Sequence, residues 1–106
     1  MPYLNQFRGT PFALATTGIT VCNATQTAVA GQTTYVTDVS GFSDKAVGSA
    51  ITIRSANTLL WSTYIAASTA FAISFNTPIK GAVGVDVGVR VDGTAQCSAN
   101  LAGYQM

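Results

Sequence analysis

Apolar residues alternate with small or polar ones along most of this chain. From Phe71, the order Phe71, Ala72, Ile73, Ser74, Phe75 puts two rings and an isoleucine on one side and small residues on the other. Further on, Val85, Val87, Val89 and Val91 alternate with Asp86, Gly88 and Arg90. A period of two marks a half-buried β-strand. Between the two runs lies Asn76-Thr77-Pro78-Ile79-Lys80-Gly81, where Pro78 removes a backbone donor and Gly81 and Gly84 permit unusual backbone angles. The pattern predicts strand, turn, strand, with the phenylalanine and valine faces turned to one core. Phe71, Ile73, Phe75, Val85, Val87 and Val89 are its expected anchors.

The same alternation divides the rest of the chain. Phe12 to Asn23 carries one strand or two short ones, interrupted at Thr17-Gly18. Gln26 to Ala30 is a weak strand, and Thr33 to Val39 a stronger one. Ser40 to Lys45 reads as a loop from its turn residues. Ala50 to Arg54 and Thr58 to Ile65 read as a hairpin about Ser55-Ala56-Asn57. In its second arm Leu59, Trp61 and Ile65 share one face and Leu60 and Tyr64 the other, which predicts a strand covered on both sides. Trp61 is the expected aromatic anchor, since aromatics carry the largest burial per residue. Asp92-Gly93 is the strongest short hairpin signal in the chain, and Thr94 to Leu101 follows as the last strand. About eight strands at roughly ten-residue spacing, with no helical period, predict an all-β protein. The expected form is a single small β-sandwich, jelly-roll-like or immunoglobulin-like, over residues 12–106. Residues 1–11 stand apart as an extended N-terminal arm, in which Tyr3, Leu4, Phe7 and Arg8 are the expected interface residues. A free tail would expose two aromatics without benefit, so the arm docks on its own sandwich or on a neighbour.

Composition sharpens this picture. With 106 residues the chain makes one domain. Charged residues are only 8% of it, against roughly 25% in ordinary soluble domains. Such a shortage points either to a surface covered by other subunits or to a neutral Thr/Ser/Asn exterior. Net charge is +1, and Arg8, Lys45, Arg54, Lys80 and Arg90 form no run, so there is no nucleic-acid or membrane footprint. No apolar run approaches the roughly 20 residues of a membrane helix. Met1 to Gly9 lacks the basic-then-apolar order of a signal peptide, so synthesis in a cytoplasm without export is expected. Cytoplasmic synthesis in turn favours Cys22 and Cys97 as buried, reduced thiols on the first and last core strands. The alternative is a disulfide closing a long loop, which the chain-entropy model values at roughly 4–5 kcal/mol.

Catalytic chemistry finds little footing. The chain has no histidine and no glutamate, hence neither the commonest general base nor the commonest metal ligand. Its acids are Asp38, Asp44, Asp86 and Asp92. Asp86 and Asp92 fall on the same side of one strand, as a solvent-facing residue and a turn residue. Asp38 and Asp44 fit no EF-hand spacing. Two cysteines without histidine leave a zinc site incomplete, and Gly81, Gly84 and Gly88 precede no helix that would hold a phosphate. No enzyme, cofactor or metal is expected.

Phe75-Asn76-Thr77-Pro78-Ile79-Lys80-Gly81, then Gly84, the valine alternation and the closing Asn100-Leu101-Ala102-Gly103-Tyr104 carry a resemblance. Over roughly its last third the chain resembles the small β-sandwich virion proteins of tailed bacteriophages, including capsid cement or decoration proteins. Ala102 departs from the serine frequent there, and the two cysteines and the N-terminal arm are not part of the pattern. The resemblance implies a virion structural protein on the outer capsid surface, made in the bacterial host cytoplasm. Its implied partner is the major capsid protein, whose neighbouring subunits it bridges, as a homo-oligomer and often a trimer. The alternatives are a carbohydrate- or cell-surface-binding β-sandwich of a phage fibre or adhesin, and a neck or tail component. For the carbohydrate alternative the best loop is Phe42 beside Asp44 and Lys45.

Overall fold

A computed structural model describes residues 9–106 of the chain. Eight strands form: β1 (Thr10–Gly18), β2 (Val21–Gln26), β3 (Thr34–Ser43), β4 (Ser49–Ser55), β5 (Thr58–Ile65), β6 (Thr69–Lys80), β7 (Val87–Asp92) and β8 (Cys97–Gln105). They make two four-stranded antiparallel sheets, ordered β1-β8-β3-β6 and β2-β7-β4-β5. β1 pairs with β8, β2 with β7, β3 with β6 and β4 with β5. The chain is thus one long hairpin, bent at Ser55-Ala56-Asn57 and rolled up until β3 also meets β8 and β4 meets β7. That order is a jelly roll rather than an immunoglobulin-like sandwich.

The inner faces follow the alternation. Val36, Val39, Ala99 and Leu101 of the first sheet and Cys22, Ala24, Ile51, Ile53, Val87, Val89 and Val91 of the second are buried between the layers. Phe71, Ile73 and Phe75 pack against this core from β6, and Trp61 from β5. Trp61 meets Phe75 edge to face, ring centroids 5.0 Å apart, and so joins the edge strands of the two sheets. Among the described residues no buried side-chain nitrogen or oxygen lacks a partner. One such pairing spans the layers: Gln26 Nε2 donates to Gln105 Oε1 at 3.2 Å, while Gln105 Nε2 donates to the Thr27 carbonyl at 2.9 Å.

Several expectations are corrected. Asp92-Gly93 is no hairpin turn, because β7 and β8 lie in opposite sheets. Gly93 is needed for crowding: a Cβ there would stand 2.7 Å from the Gln96 carbonyl and 2.9 Å from Cys97 Cβ. Val85 lies in the turn before β7, half-buried and outside the core, because the chain is still crossing between sheets there. In β5 a register shift between Ile53 and Arg54 sets Leu59 opposite Arg54, so Leu60 packs on the core and Leu59 is exposed. β5 is an edge strand covered on one face, and Tyr64 on the other face is 65% exposed. Ser40 to Ser43 continue β3 rather than forming a loop, and residues 27–30 lie beyond the end of β2. Thr10 and Pro11 belong to β1, an edge strand where proline's missing N–H does little harm. Tyr3, Leu4, Phe7 and Arg8 lie outside the described residues.

Candidate functional surfaces

Burial between the layers dictates the inner faces; the outer faces are free to differ. On the first sheet the outward positions are Pro11, Ala13, Ala15 and Thr17 of β1, Ser98, Asn100, Ala102 and Tyr104 of β8, Tyr35, Asp38, Ser40 and Phe42 of β3, and Ala70, Ala72 and Ser74 of β6. Ala13, Ala15, Ala70, Ala72 and Ser74 are exposed. The middle of this face is therefore nearly flat, with a shallow dip of about 110 Å³ between Ala13, Ser40, Asn100 and Ala102. Asp38 and Lys80 are the only charged residues on its strands. Asp38 is held down: Ser74 donates to its Oδ1 at 2.5 Å and Thr37 to its Oδ2 at 2.9 Å, and these hydroxyls lower its pKa. Asn100 Nδ2 donates to Ser40 Oγ at 3.1 Å. At one end Tyr35 and Tyr104 stack on each other, centroids 5.0 Å apart and planes 19° from parallel. They sit directly opposite on neighbouring strands, so each ring spends one face on the other.

On the second sheet the outer face is polar and pitted. Gly88 of β7 lies between Thr25 of β2 and Arg54 of β4, and Arg90 lies between Asn23 and Thr52. The missing side chain at Gly88 leaves a depression of about 330 Å³, rimmed by these residues together with Asp86. A Cβ on Gly88 would stand 2.7 Å from Thr25 Oγ1. Arg90 Nε donates to Asp92 Oδ1 at 2.9 Å, and Asp86 Oδ1 accepts the Ala28 N–H at 2.6 Å.

The end of the sandwich holds the remaining candidates. Phe42 faces an open apolar depression with Thr17, Gly18 and Ile19. Asp44 accepts the Thr94 N–H at 2.7 Å and the Ala95 N–H at 3.0 Å, which ties down the β7–β8 connection and lowers its pKa. The loop expected to offer Phe42 with Asp44 to a glycan is thus divided: one side chain lines an apolar hollow and the other is engaged by backbone. Asp38 and Asp44 are separated by half a strand, and no group of three His, Cys, Asp or Glu side chains gathers among the described residues.

Cys22 and Cys97 are both free thiols at 1% exposure or less, on β2 and at the head of β8. Cys22 Sγ donates to the Cys97 carbonyl at 3.1 Å. Burial, reinforced by Cys22, pushes the Cys97 thiol up to about 12, so it stays protonated and unreactive at neutral pH. Sequence reasoning missed the depression over Gly88, because its rim is drawn from β2, β4 and β7. The only local hint was a glycine breaking a valine-rich strand.

No family model and no curated protein matches this sequence. Among solved structures the chain is similar to a family 36 carbohydrate-binding module of a multidomain xylanase from the hindgut metagenome of Trinervitermes trinervoides. The identity is 10%, the TM-score 0.41, and 91% of this chain and 95% of that one are covered. A family 36 carbohydrate-binding module in complex with calcium and xylotriose is 14% identical, with a TM-score of 0.44 over 87% of this chain and 76% of that one. A family 61 module with β-1,4-galactotriose is 18% identical, with a TM-score of 0.34 over 92% and 69%. Likenesses at this level transfer none of those proteins' ligands to this chain.

Proposed function

We propose that this chain is a non-catalytic docking protein of a virion surface, which seats the outer face of its first sheet on the major capsid protein and bridges neighbouring capsid subunits. The observation that carries docking is that flat face of alanine and serine, with its one central carboxylate already hydrogen-bonded. Small side chains let a partner's backbone approach closely and cost little ordering entropy when buried. The phage setting rests on the Phe75–Gly81 and Asn100–Tyr104 resemblance. A four-stranded face of nine-residue strands measures roughly 15 Å by 30 Å from about 4.8 Å between strands and about 3.4 Å per residue. That is on the order of half the roughly 800 Å² per partner of a stable interface. Docking therefore recruits more surface, from residues 1–8 or by pairing at the open edges of β1 and β6. Co-sedimentation of purified protein with heads assembled without it tests the reading, and electron microscopy shows whether it occupies lattice positions. Protein that stays in the supernatant sinks it. Removing residues 1–8 leaves all eight strands; if the shortened protein still co-sediments, those residues supply none of the missing area.

A second reading, as a carbohydrate-binding β-sandwich of a fibre or adhesin, is favoured by the polar depression over Gly88. The jelly roll itself serves capsid and lectin domains alike and does not choose between the two.

A further inference from the structure

Three features lie away from the flat middle of the docking face: the apolar hollow at its end beside Ile19 and Phe42, the buried Cys22–Cys97 pair, and the depression over Gly88. The third carries furthest, because its chemistry specifies a ligand. At about 330 Å³ it lies at the lower end of small-ligand sites, which run from about 300 to 1,000 Å³. Asn23, Thr25 and Thr52 place side chains on its rim that make no hydrogen bond among the described residues. Arg90 commits only its Nε, leaving both terminal amino groups, and Asp86 keeps one carboxylate oxygen uncommitted. Donors and acceptors therefore alternate around one hole. On the rim Arg54 and Arg90 face Asp86, and Asp92, which lies beyond the rim, ion-pairs Arg90 at 2.9 Å, so these four charges sum to zero and an anion gains little there. No aromatic or large aliphatic side chain rims it apart from Val89, which points to the core, so an apolar ligand finds no partner. A hydroxyl both donates and accepts. A pair of adjacent hydroxyls can take a guanidinium fork while giving a proton to a carboxylate.

Resting on the second reading above, we infer that the depression over Gly88 binds a neutral saccharide, through vicinal hydroxyls held by Arg54, Arg90 and Asp86 without ring stacking. Hydrogen bonding without stacking makes each site weak, with Kd on the order of 1 mM. Repetition of the chain on a larger body raises avidity by about 10²–10⁴. The first sheet faces the opposite way, so docking there leaves this depression open.

The test is a titration of isotopically labelled full-length protein with lactose, maltotriose and 3′-sialyllactose, followed by amide NMR. The expected result is saturable shifts with a neutral sugar at Thr25, Thr52, Gly88 and Arg90. Gly88→Val, which fills the hole, should weaken binding at least tenfold. Arg54→Ala, which lies on an exposed rim and leaves the backbone untouched, should do the same if Gly88→Val folds poorly. Shifts with sialyllactose alone, or shifts centred on Ile19 and Phe42, overturn this inference and leave the carbohydrate reading standing. No shift with any of the three up to about 50 mM, far above the expected Kd, overturns both. Co-sedimentation with heads is unaffected by either failure.

Discussion

The two outer faces of this sandwich share one core and differ in almost everything else. On the first sheet the exposed positions are mostly alanine and serine, and the single central carboxylate is neutralised in its hydrogen bonding by Ser74 and Thr37. On the second sheet two arginines, one aspartate, an asparagine and two threonines surround a glycine, and Leu59 and Tyr64 stand out into solvent. Both sheets satisfy the same demand inward, where valine, isoleucine and leucine exclude water. Outward, folding asks little of either. The two faces therefore differ for reasons outside the core, and on the readings proposed above one would take the close approach of a broad partner and the other hydrogen bonds from a small polar ligand.

If the faces are separate devices, each can be broken alone. The largest effect is expected from Ala13→Arg, which places a charge in the flat face. Burying it unpaired costs about 3–5 kcal/mol of docking free energy, so co-sedimentation with heads should vanish while the saccharide shifts at Gly88 persist. Arg54→Ala should give the mirror image. Loss of both activities in either variant would merge the two faces into one site.

A change in the shared core should favour neither face. Ile51→Val removes one buried methylene and should cost about 0.5–1.5 kcal/mol in urea unfolding, with docking and saccharide affinity both unchanged. A selective loss at the second face would show that the core positions the Gly88 rim.

Smaller effects follow from protonation. The Cys97 thiol ionises at about 12 in the folded protein against 9.0 ordinarily. Between those values the unfolded chain holds fewer protons than the folded one, so stability falls as pH rises from 9 toward 12 and is complete below 9. Urea midpoints at pH 8, 9 and 10 should decline, and Cys97→Ala should flatten that decline. Carboxylates act in the opposite sense. Asp38 and Asp44 have lowered pKa values, so what they contribute is present above the ordinary 3.8 and is lost as pH falls through their folded values. Asp38 is exposed and Asp44 only partly covered, so the effect is small. Asp44→Asn should be seen first as faster hydrogen exchange at Thr94 and Ala95, with both faces intact.

Much of this was legible locally. The interruption expected at Thr17-Gly18 lies two residues early, since both still pair in β1 and the break falls at Ile19-Thr20, while Ser55-Ala56-Asn57 marks the one hairpin within a sheet among the described residues. Alternation placed Phe71, Ile73, Phe75, Val87 and Val89 on the core side. It failed where parity changes without a local signal, as at Leu59 and Leu60, because the shift arises from pairing with β4. Asp92-Gly93 misled for a related reason. A turn dipeptide fixes how sharply the chain bends, not which sheet receives the next strand.

By itself, then, the amino-acid order determined that this chain is made of strands and which side of most is apolar, since a period of two is a property of neighbours, but it set both ends closely only for β4 and β5. Only the tertiary structure decided the β1-β8-β3-β6 and β2-β7-β4-β5 orders, the stacking of Tyr35 on Tyr104, the tie between Gln26 and Gln105, and the meeting of Asn23, Arg54 and Arg90 around Gly88. These join residues 31 to 79 positions apart, as Asn23 with Arg54 and Gln26 with Gln105. Such distant partners are selected by burying two whole sheet faces at once, and no short stretch of sequence records that choice.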